Sequence, residues 1–368
     1  MTAEFGSSEQ ARSVVGGTHA SGTSGVRVAG QPDRAQTAGL VALAGRDPQA
    51  LPRALRHVEE ISLQAMAELL RSPRYPVIGS AEIVARLGVA PRHAWLIDRW
   101  LAALATESPG LATAAGRGGE PGADFEQAYA VLGFPPRMAR FHRAALARLP
   151  QLLRDEVSVQ ELLFADGDVL AALAAYQDNA FTGFLNAAAG ELLREAAAAA
   201  PGPLRVVELG GGAGLSTAAA LRALRGTEFV YLFTDVSRLF TVAATERFGD
   251  RVTCGLLDLN EDFTVEPGSA DVVLAGNVLH NATHVGRTLS RIRGLLEPGG
   301  WLVFTESTRE SPAVLTSMQF LLSGPVFLDE SGWHAELTTA GFEPRFTLPG
   351  PGSPLAAAGQ RLFLAVAQ

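Results

Sequence analysis

Apolar positions along this chain change period once, near residue 204. Upstream they recur at helical spacing: Leu55, Val58, Ile61, Ala65, Leu69 and Leu70 form one stripe. Residues 80–89 predict a capped helix stopped at Gly88, followed by a helix over 92–106 that buries Trp95, Ile97, Leu101 and Leu104. A second helical group covers 124–200. From Leu204 onward, short apolar runs alternate with helical segments. The predicted strands are 204–209, 229–234, 252–256, 271–275, 301–306, 344–348 and 361–366. That alternation predicts an α/β fold, a parallel sheet covered on both faces by helices. Only a Pro/Gly-rich turn joins the last two runs. It is too short for a helical crossover, so that pair should be antiparallel.

Four regions follow. Residues 1–38, rich in Gly, Ser, Thr and Ala, should be a disordered tail. Residues 39–123 form a helical, winged-helix-like region that ends in a Gly-rich loop. Residues 124–200 form a helical lid, and residues 201–368 the ligand-binding α/β domain.

The first strand runs into Glu208-Leu-Gly210-Gly211-Gly212-Ala-Gly214 and then into a helix. A strand, a glycine bend and a helix start in that order seat a nucleotide-like ligand at the carboxyl end of a parallel sheet. The dinucleotide spacing G-x-G-x-x-G does not fit, because counting from Gly210 puts Leu215 at the third glycine. The pattern present is E-x-G-x-G-x-G. A carboxylate ahead of the glycines suits a ligand whose tail is an ammonium group and repels a pyrophosphate. S-adenosyl-L-methionine has such a tail. Asp235, closing the second strand, is placed to grip ribose hydroxyls, or else caps the next helix. Asp258 is placed to accept from an adenine amino group while Leu259 packs on the ring, or else is a surface turn carboxylate.

Composition removes other chemistries. The 368 residues carry a formal charge of −8, which disfavours a nucleic-acid partner. All 30 basic residues are Arg, and the absence of Lys excludes Schiff-base chemistry and a Walker A loop. Cys254 is the single cysteine, expected as buried filler, so neither an internal disulfide nor a thiolate metal cluster can form. No run of about 20 apolar residues and no signal pattern occurs, which predicts a cytoplasmic protein without a membrane partner.

His280 lies just past the fourth predicted strand and Glu306 ends the fifth. If those strands are neighbours, the two side chains can form a base–orienter dyad above the ligand crevice. The same residues also fit a structural histidine beside a turn-capping carboxylate. His284 has helical metal-ligand spacing from His280 but no third ligand, so no metal is expected. His19, His57, His93, His142 and His334 show no carboxylate or cysteine neighbourhood in sequence.

Five segments together resemble one family. They are Tyr176-Gln-Asp-Asn with Asn186, Val207–Gly214, Phe233-Thr-Asp235-Val-Ser, Asn277-Val-Leu-His280-Asn-Ala-Thr, and Leu295–Glu306. The chain resembles class I S-adenosylmethionine-dependent methyltransferases, and within them the domains embedded in polyketide and nonribosomal peptide synthases. The likeness covers roughly residues 130–368. It implies a Rossmann-like seven-stranded methyltransferase sheet with the last strand antiparallel, preceded by a mainly helical lid region. It implies S-adenosyl-L-methionine held by Glu208, Gly210, Gly212, Gly214, Asp235, Asp258, Leu259 and Asn277.

The acceptor would lie between lid and sheet, near Tyr176, Asn186, Met318 and Phe320. In carbon-methylating members a His–Glu dyad falls at His280 and Glu306. The expected role is therefore carbon methylation of a small-molecule or carrier-protein-bound intermediate in specialised metabolism, such as antibiotic biosynthesis. Asn281 is more polar than the family's usual residue there, so the acceptor pocket should differ. With no synthase modules flanking the domain, the acceptor should be free or met on a carrier in trans. The helical front half also resembles the dimerisation segment of small-molecule O-methyltransferases. This keeps oxygen methylation as an alternative and predicts a homodimer face using Trp95 and Trp100. Further alternatives are a cofactor-binding protein without transfer and a DNA-binding regulator built on helix 92–106.

Overall fold

The computed structural model describes residues 30–71, 79–107, 123–321 and 327–368. Ten helices among these residues precede the sheet: α1 (Gln31–Ala42), α2 (Leu51–Leu70), α3 (Ser80–Leu87), α4 (Ala94–Glu107), α5 (Ala123–Val131), α6 (Pro136–Leu146), α7 (Leu149–Leu153), α8 (Val159–Leu163), α9 (Val169–Gln177) and α10 (Ala180–Ala199). Then come β1 (Leu204–Leu209), α11 (Leu215–Ala223), β2 (Phe229–Asp235), α12 (Arg238–Phe248), β3 (Thr253–Leu256), β4 (Ala270–Gly276) and α13 (Val285–Leu295). The chain closes with β5 (Leu296–Ser307), α14 (Pro312–Leu315), α15 (Glu330–Thr339), β6 (Phe342–Leu348) and β7 (Gln360–Ala367).

The seven strands lie in the order β3-β2-β1-β4-β5-β7-β6. β1 pairs in parallel with β2 and β4, and β4 in parallel with β5. β7 runs antiparallel to both β5 and β6, as the short final connection predicts. Alternate residues feed two cores because the sheet is covered on both faces. Val206, Leu274, Val303 and Leu364 face α1, α10 and α11, whereas Val207, Val273, Leu302 and Phe363 face α13 and α15.

The first of these cores does not stop at the sheet. It continues without a break through α10 to Trp100, Leu96 and Met66 of the front half. Trp100 is completely buried and donates its indole N–H to the Leu315 carbonyl at 3.1 Å, joining α4 to α14. The predicted stop at Gly88 is present, with that residue in the left-handed region at φ 64°. The boundary expected at residue 38 needs correction, because it falls inside α1, which packs along α10. Ala35 is fully buried there, so this segment has an apolar contact that composition alone hides. Residues 1–29 lie outside the described residues, as does the Gly-rich loop expected at 112–123 except for Ala123, which opens α5.

Candidate active site

β1 ends in a bend whose backbone leaves the usual right-handed region three times, at Gly210 (φ 60°), Gly212 (φ 53°) and Gly214 (φ 75°). The bend is tied to the neighbouring strand. Gly211 N–H donates to the Thr234 carbonyl, and Gly212 N–H donates to Asp235 Oδ2, each at 3.0 Å. Asp235 Oδ1 accepts from Ser237 N–H at 2.8 Å, so one carboxylate shapes both the bend and the turn into α12. Burial pushes the Asp235 carboxyl up, against the pull of those backbone donors. At Gly210 a Cβ would stand 2.3 Å from Val278 Cγ2, so the bend and the loop after β4 touch.

Glu208 is placed otherwise than the ammonium reading requires. It is completely buried, and its Oε2 accepts from Thr217 Oγ1 at 2.6 Å and from the Tyr231 hydroxyl at 2.8 Å. Burial pushes its carboxyl up to about 7, and Oε1 has no partner. Through Oε2 it lashes α11 to β1 and β2, and it does not line the cavity around His280. Asp258 is half-buried past β3 and accepts from Asn260 N–H at 2.8 Å. Leu259 is buried, its carbonyl taken by the Thr288 hydroxyl at 3.0 Å.

His280 and Glu306 meet, because β4 and β5 are indeed neighbours. Glu306 Oε1 accepts from the His280 backbone N–H at 3.1 Å, and Oε2 lies 2.9 Å from His280 Nδ1. A carboxylate can only accept, so Nδ1 carries the proton and Nε2 is left with its lone pair. The Glu306 side chain is 1% exposed and that of His280 25%. Burial lowers the imidazole pKa, but the Glu306 charge and hydrogen bond outweigh it, and the net shift is upward. Asn277, just ahead, holds a left-handed backbone at φ 53°, a strained position that asparagine tolerates better than most residues.

Both dyad residues line a cavity of about 360 Å³ between the sheet's carboxyl edge and the front helices, the size of a small-ligand site. Tyr176, Asn186, Asn277 and Met318 line it as expected. Asn186 accepts from Ser216 Oγ at 3.1 Å, linking α10 to the helix that follows the glycine bend. Phe320 is a correction: it is buried outside the cavity, edge-on to His93 with ring centroids 5.1 Å apart. Its apolar character drew it into the core instead of the wall.

His142, passed over in the sequence, also lines the cavity together with Tyr129, whose hydroxyl lies 2.6 Å from Nδ1. The available signal was its place among Met138, Phe141 and Ala145, on the buried stripe of α6. Cys254 is half-buried on the edge strand, not core filler. His284 is exposed at the start of α13, and no cluster of three metal-ligating side chains exists among the described residues. Trp100 is unavailable for a dimer face, being core. The arginines of the DNA-reading alternative are occupied: Arg92 pairs with Asp155 and Arg99 with Glu310. No helix among the described residues is long and apolar enough to cross a membrane.

Known proteins resemble this chain in sequence and fold. Residues 207–302 match a family described as a methyltransferase domain. Pyochelin synthetase PchF of Pseudomonas aeruginosa (strain UCBPP-PA14) is 30% identical over 317 residues, 77% of this chain. The chain spans only 17% of that relative's length. The crystal structure of the CurJ carbon methyltransferase superposes with a TM-score of 0.77 at 25% identity, covering 92% of this chain and 99% of that one. The DszA carbon methyltransferase does so with a TM-score of 0.71 at 25% identity, covering 91% and 96%. The chain belongs to the class I S-adenosyl-L-methionine-dependent methyltransferases, alongside the methyltransferase domains of polyketide and nonribosomal peptide synthases.

Proposed function

We propose that this enzyme methylates carbon in an acyl intermediate of polyketide- or peptide-type metabolism, presented on a carrier protein, with His280 as general base and Glu306 as its positioning partner. The observation that carries the reading is the double hold of Glu306 on His280, through the backbone N–H and Nδ1. The synthase relative and the carbon methyltransferase neighbours support the acceptor class. A cytoplasmic setting belongs to the same reading.

The glycine bend fits the cofactor, since beside Gly212 only the Gly210 carbonyl oxygen lies within 4 Å of where a side chain would begin, which leaves room for a ligand against the backbone. The bend, Asp235, Asp258 and Leu259 would hold it, with Glu208 supporting the bend from below. Bound there, S-adenosyl-L-methionine supplies a methyl on a sulfonium, whose sulfur departs with the bonding pair. His280 Nε2 takes the proton from the acidic carbon of the acceptor, and the carbon keeps the C–H electron pair and uses it to bond the methyl carbon. Glu306 holds the imidazole in the required tautomer and stabilises the imidazolium that forms. The cavity, part apolar and part polar in its lining, would hold the acceptor carbon in line with the methyl.

The neutral imidazole is the working form, so activity is present above its pKa and lost as pH falls through it. The upward shift of His280 places the acid limb of kcat/KM above the ordinary histidine value of about 6.5. Glu306→Gln removes the charge that raises it: the limb should move to lower pH, with plateau turnover down on the order of 10²-fold. An unmoved limb would separate Glu306 from the base. The direct test is mass spectrometry with methyl-labelled cofactor and β-ketoacyl carrier-protein acceptors. Label on the α-carbon supports the proposal; label on oxygen transfers it to an enol or hydroxyl acceptor; no label on any acceptor sinks it.

A further inference from the structure

The wall of the same cavity holds a second polar group that the transfer step does not use. His142 is 1% exposed, and burial pushes its imidazole down to about 3, so it is neutral and carries a single N–H. Its Nδ1 faces the Tyr129 hydroxyl at 2.6 Å, and its Nε2 faces Thr316 Oγ1 at 2.9 Å, with Ser62 Oγ at 3.5 Å. Both alcohols have backbone acceptors: Ser62 donates to the Val58 carbonyl at 3.0 Å, and Thr316 to Pro312 and Ala313 carbonyls at 3.1 and 3.2 Å.

Two proton arrangements can be written. If Nδ1 held the proton, it would donate to Tyr129, and the phenol hydrogen would have no acceptor in this wall. If Nε2 holds it, Nε2 donates to Thr316, Tyr129 donates to Nδ1, and every donor is matched. Buried donors are rarely left unpaired, so the second arrangement stands. Desolvation also raises the Tyr129 pKa, so the phenol keeps its proton. Contacts with Phe125 and Phe134, at ring centroid distances of 5.1 and 5.3 Å, fix the ring. The phenol proton is thus spent on His142, and its oxygen is left with lone pairs only.

Resting on the acyl-methylation reading above, we infer that Tyr129, held by His142, is a specificity-determining residue whose phenol oxygen accepts a hydrogen bond from an O–H or N–H group of the acceptor. A carbonyl at the same place would meet lone pair against lone pair and is rejected. The donor is either a hydroxyl on the acyl chain or an amide N–H on the arm that carries it.

The test uses two matched pairs of β-ketoacyl thioesters, titrated by calorimetry into the full chain saturated with S-adenosyl-L-homocysteine. One pair compares an N-acetylcysteamine thioester with its S-alkyl counterpart lacking the amide. The other compares a hydroxylated acyl chain with the deoxy chain. Wild type should favour the donor-bearing member of one pair by about 10-fold in Kd, the worth of one net hydrogen bond, and the pair that responds identifies the source. Tyr129→Phe should shrink that preference to within about two-fold, because no phenol oxygen remains to accept. His142→Leu releases the phenol proton, so a further ligand with a keto group in place of the donor, disfavoured by wild type, should gain affinity, a reversal that looser packing would not produce. Thermal melts of both variants report the fold. Equal affinities across both pairs in wild type, no binding by any of the four, or a preference that survives Tyr129→Phe would overturn the inference. Preference without methyl transfer would remove the carbon-methylation reading and leave this one standing.

Discussion

Replacing His280 with Ala should lower turnover on the order of 10²- to 10⁴-fold while the Kd for S-adenosyl-L-homocysteine stays within about three-fold of wild type. The split follows from position. His280 lies past β4 in the acceptor cavity, whereas the glycine bend follows β1, and the dyad bonds run to Glu306 on β5 rather than to the bend. Removing the ring takes away the proton acceptor and leaves the cofactor cradle standing. It also strips Glu306 Oε2 of its ring partner, a buried acceptor left unmatched at about 1–3 kcal/mol. A lower melting temperature should therefore accompany the kinetic loss. Single-turnover transfer and calorimetry on one preparation separate the two effects. Transfer at the wild-type rate would assign the proton to another group.

Gly210→Ala should be the most damaging single-methyl change in the site. A residue with a side chain at φ 60° costs about 1–2 kcal/mol. The added carbon would stand 2.3 Å from Val278 Cγ2, overpacking worth another ~1–3 kcal/mol. Val278 lies in the loop that carries His280, so relief of the clash moves the base as well as the bend. Cofactor affinity should weaken by roughly 10- to 100-fold, about 1.4–2.8 kcal/mol, and turnover should fall at saturating cofactor. Gly226→Ala is the control: φ 79° there is equally left-handed, but no atom lies within 4 Å of the added carbon. It should lower stability and leave both site readouts alone. Matching losses in the two variants would mean that the strained backbone, not the contact with Val278, governs the site.

The legible parts of this protein share a local cause. Strands buried on both faces need mainly apolar runs, which is why the strands predicted at 204–209 and 271–275 fall within a residue of β1 and β4. Positive backbone angles need glycine, which made the bend visible. Neighbouring strand ends bring His280 to Glu306, and sequential order was enough to anticipate that pairing. The misread parts depended on which surface another element covers. Phe320 and Trp100 were assigned to a pocket and a dimer face on apolar character alone, yet both are core side chains where α4, α14 and the segment around Met318 converge. Glu208 looked like a ligand carboxylate because sequence cannot tell a side chain above the bend from one beneath it. The first turns of α1 read as tail in sequence because Gly, Ala and Gln give no strong apolar stripe, and the surface of α10 supplies the partner.

The sequence by itself determined the periods, the turns and the order of chemical groups along the chain, because these follow from backbone preference and nearest neighbours. Tertiary structure alone decided burial and proton placement. Glu208 became a strut, with its pKa near 7, only once Tyr231 and Thr217 enclosed it. His142 gained one defined tautomer only when Tyr129 and Thr316, distant along the chain, closed around it. Desolvation and hydrogen-bond direction are properties of a packed neighbourhood, and no local stretch of residues carries them.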